Sequence, residues 1–353
     1  MDNNGKSWDS NDVNDILGVF RCSHKSRHQV INGRDRMELY FAPLEGITGY
    51  IFRNAYNGIY GHIDKYFAPF ISPSDKCPMT SRERKDIAPE NNTGINLVPQ
   101  ILTSRSEHFI EAAKELQLMG YNEVNLNLGC PSGTVCAKGK GAAFLPETPA
   151  LQRFLDDIYS YAAQENMKIS IKTRLGYYNP DEFYDLMEIF NNFPVSELIV
   201  HPRIRSDFYK GKTRKEYYIY ALEHSKCPLV YNGNIFTVND YKDLSVSFGF
   251  DPDPIMSGRG LITDPSLADK LKGFATDSDF TKLKKLHDTV YHEYQKVISP
   301  DINVLYKMRE LWSYWQVLFD SSERDIKRLM KAKKYSEYEE IAYRLLEDMQ
   351  PEA

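Results

Sequence analysis

The sequence contains no stretch approaching the roughly 18 consecutive apolar residues of a membrane-spanning helix. Its opening MDNNGKSWDSNDVN lacks the apolar core of a secretory signal, so a cytoplasmic protein without a membrane partner is expected. Cysteine is scarce. Cys22, Cys77, Cys130, Cys136 and Cys227 are too few and too irregularly spaced for a disulfide framework, and no C-x-x-C pair suggests zinc. There is no excess of positive charge, since the formal net charge is −5, which argues against a globally basic nucleic-acid binder. No G-x-G-x-x-G follows the first strand-like run, which disfavours a dinucleotide-binding open sheet. What remains, 353 residues with 42% hydrophobic and 26% charged side chains, is globular in composition and can bury one large core or two modest ones.

Positive charge is nevertheless concentrated locally. Arg203, Arg205, Lys210, Lys212, Arg214 and Lys215 face one acid, Asp207, and Lys327, Arg328, Lys331, Lys333 and Lys334 form a run with none. Either could be a solvated face. With Phe208, Tyr209, Tyr217 and Tyr218 interleaved, they also suit an RNA surface.

Residues 1–36 form a polar tail without helical or strand period. From Met37 one pattern repeats, a short apolar run followed by an amphipathic stretch. The runs are 37–43, 64–71, 95–101, 123–129, 168–174, 197–203, 228–234 and 254–260. Helices are expected over 104–120, with Ser104 and Glu107 as a capping box and Gly120 as the stop, and over 237–249. The stretch 72–92 reads as mostly loop. Eight strands alternating with helices predict an α/β fold of the (β/α)8 TIM barrel type over 37–275, close to the usual size of roughly 250 residues. A doubly wound open sheet is the alternative. Residues 276–353 carry helical periods without strands; Ile302, Leu305, Met308, Leu311, Trp312, Trp315, Leu318 and Phe319 form one apolar stripe, and an all-helical, four-helix bundle domain is expected there.

Barrel enzymes place their chemistry where strands end, and these ends are polar. They bring Pro43, Leu44, Gln100, Asn127, Cys130, Lys172, Arg174, His201, Arg203, Asn232, Gly233, Gly258 and Arg259. The last two turns, Asn232-Gly233-Asn234 and Gly258-Arg259-Gly260 before a helix starting near Asp264, suit a phosphate: glycines let backbone N–H groups approach an anion, and Arg adds positive potential. Lys172 lies in an otherwise apolar strand, where an ammonium requires an anionic cofactor or a barrel carboxylate. Cys130, between Gly129 and Pro131, would hold a thiol rigidly at the barrel mouth as nucleophile, as general acid, or merely as a small buried residue.

The segments APLEGITGYIFRNA, VPQI, NLNLGCPSGTVCAKGKGAAFL, IKTRLGY, VHPR, YNGNI and SGRG occur in the order found in tRNA-dihydrouridine synthases, and the chain from about Glu38 to Leu271 closely resembles that family. Its helical region matches in position the family's C-terminal RNA-binding bundle. The resemblance implies a flavoenzyme with bound FMN that uses NADPH to reduce the C5–C6 double bond of a uridine in RNA to dihydrouridine. It implies Cys130 as the general acid that protonates C5 and Asn127 as a contact to uracil and flavin. Gln100 and Lys172 would bind the isoalloxazine ring, lined by the backbone of Pro43 and Leu44. His201, Asn232, Gly233, Asn234, Gly258 and Arg259 would surround the phosphate, and Arg203 would help hold the uracil. Leu44 stands where the family commonly has Met and Phe144 where Leu is usual, both still apolar; HPRIRSDFYKG departs from the commonest HAR form. The expected partner is tRNA, and the expected oligomeric state is a monomer. The alternatives are ribosomal RNA as substrate, an FMN barrel acting on free pyrimidines, and a non-catalytic RNA-binding barrel.

Overall fold

The structure, a computed structural model, describes residues 37–319 and 322–348; the polar tail 1–36 lies outside the described residues. Each of the eight predicted runs contains strand. The strands are β1 (Leu39–Phe41), β2 (Lys65–Phe67), β3 (Leu97–Val98), β4 (Gln100–Ile101), β5 (Glu123–Leu128), β6 (Lys168–Gly176), β7 (Leu198–Ile204), β8 (Leu229–Asn232) and β9 (Ile255–Ser257). Every pairing is parallel, in the order β3-β2-β1-β9-β8-β7-β6-β5-β4. Strands β3 and β4 are two pieces of one run divided at Pro99, which has no N–H to donate. One piece pairs with β2 and the other with β5, while the Pro99 carbonyl accepts from Asn125 N–H at 2.9 Å. The third run therefore joins the two edges and closes the barrel.

Side-chain alternation separates two cores. Tyr40, Phe67, Val98, Ile199, Val230 and Met256 point inward and fill the lower barrel, whereas Leu39, Phe41, Leu126, Ile171 and Leu198 belong to the layer under the surrounding helices. Lys65 closes the lower end through Glu197 at 2.9 Å and Glu123 at 3.3 Å, with Tyr40 Oη donating to Glu197 at 2.9 Å. Further along the strands the same inward parity carries Gln100, Asn127, Lys172, Arg174 and His201, so the barrel interior changes from apolar to polar toward its C-terminal face.

The helices depart from expectation at three starts. The helix predicted over 104–120 begins at Ser106 with Arg105 as its N-cap, and no side-chain capping bond forms. Ser106 Oγ instead donates to Asp157 at 2.6 Å, while Gly120, at φ +94, does end the helix. The stretch 72–92 carries a helix, Ser81–Ile87, capped by Thr80 and Glu83; its single buried residue, Ile87, left no apolar period to read. Where one helix was expected from near Asp264, two short ones lie on either side of it, Arg259–Thr263 immediately after β9 and Leu267–Leu271. The 237–249 helix is as expected, with Thr237 and Asp240 in a capping box and Gly249 at φ +75.

Beyond the barrel lie helices Phe280–Val297, Asp301–Trp315, Glu323–Leu329 and Tyr335–Glu347. The stripe read from sequence is buried from Leu305 through Trp315, at roughly 1.5–3 kcal/mol for each large apolar side chain removed from water. The first of these helices packs on the barrel helix Tyr50–Ile59, and Asp301–Trp315 packs on Arg259–Thr263. Lys307 Nζ donates to the Gly46 carbonyl, so this unit is seated beside the barrel mouth.

Candidate active site

At the C-terminal face of the barrel is a cavity of about 510 Å3. It is lined by Pro43, Leu44, Gln100, Asn127, Cys130, Lys172, His201, Asn232, Gly233, Gly258 and Arg259, all of them read from the sequence as site residues. The parallel strands explain the convergence, because the last inward residue of each run reaches one opening.

A chain of amides fixes the floor. Asn127 Nδ2 donates to Gln100 Oε1 at 2.7 Å, Gln100 Nε2 to Asn125 Oδ1 at 2.7 Å, and Asn125 Nδ2 to Ser170 Oγ at 2.9 Å. Asn127 Oδ1 accepts from the backbone N–H groups of Gly129 (3.0 Å) and Cys130 (2.9 Å), which locks the turn carrying the thiol. A Cβ at Gly141 would lie 2.8 Å from the Cys130 carbonyl oxygen, so the 137–141 segment folds tightly over that turn. Burial pushes the Cys130 thiol up from its ordinary value, and it is protonated at neutral pH. This favours a proton donor over a thiolate nucleophile.

Lys172 stands on the same floor with no hydrogen bond or ion pair among the described residues. Burial, and then the neighbouring Arg174, push its ammonium down to about 7. No ion pair among the described residues reaches Arg174, Arg203 or Arg259 either; the nearby acid Asp207 is taken by Arg214. Burial, with Arg174 next, holds His201 well below the ordinary histidine range. Arg203 Nη1 lies 3.0 Å from His201 Nε2 and can only donate, so the imidazole is neutral with its proton on Nδ1. A cavity with this much unpaired positive charge is complementary to an anionic ligand.

Two expected residues stand outside the lining. Arg203 is buried behind His201 and spends its guanidinium on the carbonyls of Lys210 (3.1 Å) and Gly211, on His201 and on Asn234. Asn234 Oδ1 accepts from Arg259 Nη2 at 3.0 Å and steadies that side chain from outside. Arg174, a strand-end residue with no assigned role, lines the cavity in place of Arg203. It donates to Gly129 O (2.9 Å), Ile204 O (3.0 Å) and Phe208 O (2.7 Å), tying the cysteine turn to the 204–209 turn, and it lies over the Tyr209 ring. Tyr209 in turn receives Arg259 on its ring at 4.8 Å.

The phosphate-type turns are also sterically built. A Cβ at Gly260 would lie 1.9 Å from the Ile235 carbonyl oxygen, and one at Gly233 would lie 2.3 Å from Tyr231 Oη, so both positions require glycine. The cavity falls within the roughly 300–1,000 Å3 of small-molecule and cofactor sites. Its partnerless Lys172, unpaired arginines and glycine turns fit a flavin carrying a phosphate.

The basic runs divide on folding. Tyr218, expected on an RNA surface, is 2% exposed and packs in the core beside Tyr231 and Phe248. Lys210 and Lys212 are exposed with Phe208 and Tyr209 near the mouth, and all five cations from Lys327 to Lys334 are exposed. Glu310 and Tyr314, from the C-terminal helices, also line the cavity; the 3.6-residue apolar period of that helix gave no sign of it.

Among the described residues no helix is long and apolar enough to cross a membrane. The dihydrouridine synthase family model matches residues 40–344. A probable tRNA-dihydrouridine synthase of Staphylococcus aureus is 27% identical over 266 residues, covering 72% of this chain and 77% of the relative. A tRNA-dihydrouridine(16) synthase of Pseudomonas syringae pv. tomato is 30% identical over 237 residues, covering 66% of this chain and 74% of the relative. With the model spanning barrel and helices alike, this chain belongs to the dihydrouridine synthase family.

Proposed function

We propose that the protein binds FMN in the barrel cavity and, with NADPH as reductant, reduces the C5–C6 double bond of uridines in tRNA. The observation that carries this reading is the convergence of a protonated Cys130 thiol with the partnerless Lys172 on one cavity floor. The names of the two relatives support tRNA as the substrate.

Bound FMN would supply the hydride that C6 receives. Lys172 and Gln100 would hold its ring system, with Pro43 and Leu44 lining it, and the neutral His201 would contribute to the phosphate site. Asn232, Gly233, Gly258 and Arg259 would hold the phosphate, and Asn234 steadies Arg259 through its Oδ1. Asn127 faces the uracil while its carbonyl keeps the Cys130 turn in place. Cys130 Sγ carries a proton and gives it to C5, so one hydride and one proton saturate the bond; solvent then reprotonates the sulfur. Arg174 and Tyr209 stand where the base enters, and Arg203 acts from behind through His201 and Asn234.

A uracil stacked in folded RNA must be extruded to reach this floor, at a cost of a few kcal/mol offset by contacts to the RNA backbone. Lys210 and Lys212 beside the mouth, and the exposed cations of 327–334, supply such contacts. The test is single-turnover reduction of unmodified tRNA by the flavin-loaded protein. Cys130→Ala should lower the rate by roughly 10²- to 10⁴-fold while retaining flavin and tRNA binding. An unchanged rate would remove Cys130 from the proton-donor role.

A further inference from the structure

The cavity wall is not made by the barrel alone. Glu310 and Tyr314, on the helix Asp301–Trp315, both line it, and a spacing of four residues sets them on one helix face. They stand at the rim: the Glu310 side chain is 43% exposed, whereas Gln100 on the floor is 0% exposed. The Glu310 carboxylate faces Gly46, where a Cβ would be 3.7 Å from each of its oxygens, and Lys307 Nζ is 3.8 Å away but donates to the Gly46 carbonyl. No hydrogen bond among the described residues uses either the Glu310 carboxylate or the Tyr314 hydroxyl. Tyr314 lies in the electrostatic neighbourhood of Arg259 and Tyr209, at the entrance described above.

A carboxylate here is costly for a polyanion. The opening also carries Arg174, Arg259, Lys210 and Lys212, with Glu45 as a second carboxylate in the lining, and Glu310 opposes the phosphates that those cations attract. A carboxylate can only accept hydrogen bonds, so it suits a donor that the ligand presents at the rim. With the uracil on the floor, the donor that the reacting nucleotide itself still presents outside is a sugar hydroxyl. Such hydroxyls come from two sources, the ribose of the substrate and the ribityl chain of the flavin. The rim position favours the ribose, which remains outside as the base goes in.

We propose that Glu310 and Tyr314 bind the ribose 2′-hydroxyl of the extruded nucleotide, so that the C-terminal helices select RNA over DNA at the reacting position. This rests on the reading of a uridine in tRNA as the substrate. Glu310 accepts from the hydroxyl, and Tyr314, able to donate and accept, completes its bonding.

The test pairs protein variants with altered sugars. The reduced uridine is first mapped in unmodified tRNA, and the same tRNA is then assembled with 2′-deoxyuridine or 2′-fluorouridine at that position. Neither carries a 2′ donor, and the fluoro sugar keeps the ribose-like pucker. The wild-type protein should reduce both roughly 10- to 100-fold more slowly than the all-ribose tRNA, the size of one hydrogen bond to a charged acceptor. Glu310→Ala should slow the all-ribose tRNA while the two altered tRNAs, relieved of a repulsive charge and with no bond to lose, react as fast as before or faster, closing the gap between sugars. Tyr314→Phe should close it partly, and as the conservative change it guards against misfolding. FMN affinity, read from flavin fluorescence, should be the same in all three proteins. Equal slowing on every sugar, ready acceptance of the deoxy and fluoro sugars by the wild type, or weakened FMN binding in the variants would each overturn the assignment. If the wild type left all-ribose tRNA unreduced, the substrate reading itself would fall, and this assignment with it.

Discussion

Lys172 gives the proposed flavin site a proton linkage whose size follows from its surroundings. With burial and Arg174 as its influences and no carboxylate partner, its ammonium is pushed down to about 7 from an ordinary 10.5. The oxidised flavin ring is neutral but offers nitrogen and carbonyl acceptors, and a hydrogen bond from the ammonium to them favours the charged form, so binding takes up a proton whenever the empty site has lost one. The sign follows directly. A pKa raised by binding makes affinity greatest below the empty-site value and weaker as pH rises through it. If the bound value returns near the ordinary one, the FMN dissociation constant should rise roughly 50-fold between pH 7 and pH 9. The ligand phosphate, with its second ionisation near about 6, stays nearly constant over that window. The assay is fluorescence titration of apoprotein with FMN at the two pH values. Lys172→Met should bind more weakly at pH 7 and lose most of the pH response. A wild-type dissociation constant equal at both values, or the same slope in the methionine variant, would refute the argument.

Two further predictions concern the scaffold. Gly260→Ala places a Cβ 1.9 Å from the Ile235 carbonyl oxygen and should cost at least roughly 1–3 kcal/mol in thermal unfolding, together with flavin content. Gly133→Ala, with open space around it, should change stability far less. In the helical unit, His287 is fully buried between Asp288 (2.8 Å) and Tyr338 Oη (2.7 Å), and burial lowers its pKa below 6.5 despite Asp288. The unfolded chain then binds a proton more readily than the folded one, so this contribution is complete above the ordinary histidine range and is lost as pH falls below it. The melting temperature should drop from pH 7.5 to pH 5, and His287→Gln, which keeps an acceptor for Tyr338, should show a smaller drop; an equal drop would exclude His287 as the cause.

Much of the barrel was legible because its signal is periodic. Runs such as KISIKTR and ELIVHPR alternate or stay apolar until they reach the polar residue that ends on the catalytic face, so strand positions and most of the cavity lining came from one pattern. The third run, 95–101, reads as one strand; its division at Pro99 and the barrel closure that follows appear only with the pairing partners. Arg203 and Arg174 show where the pattern stops helping. Both are strand-end arginines, and only three-dimensional accounting of their hydrogen bonds places one behind His201 and the other across the mouth. Tyr218 and Tyr209 likewise lie in one basic, aromatic segment, yet a helix turns the first into the core and a loop leaves the second half exposed. Glu310 and Tyr314 could not be read at all, since the period of their helix reports the face that packs and not what the opposite face overhangs.

The most direct test is to express the chain in cells lacking all their dihydrouridine synthases, separate tRNA from ribosomal RNA, and quantify dihydrouridine in each by mass spectrometry. The account predicts dihydrouridine restored in the tRNA fraction by the wild-type protein and lost with Cys130→Ala. Restoration in ribosomal RNA instead, or in neither fraction while the purified protein carries flavin, would contradict it.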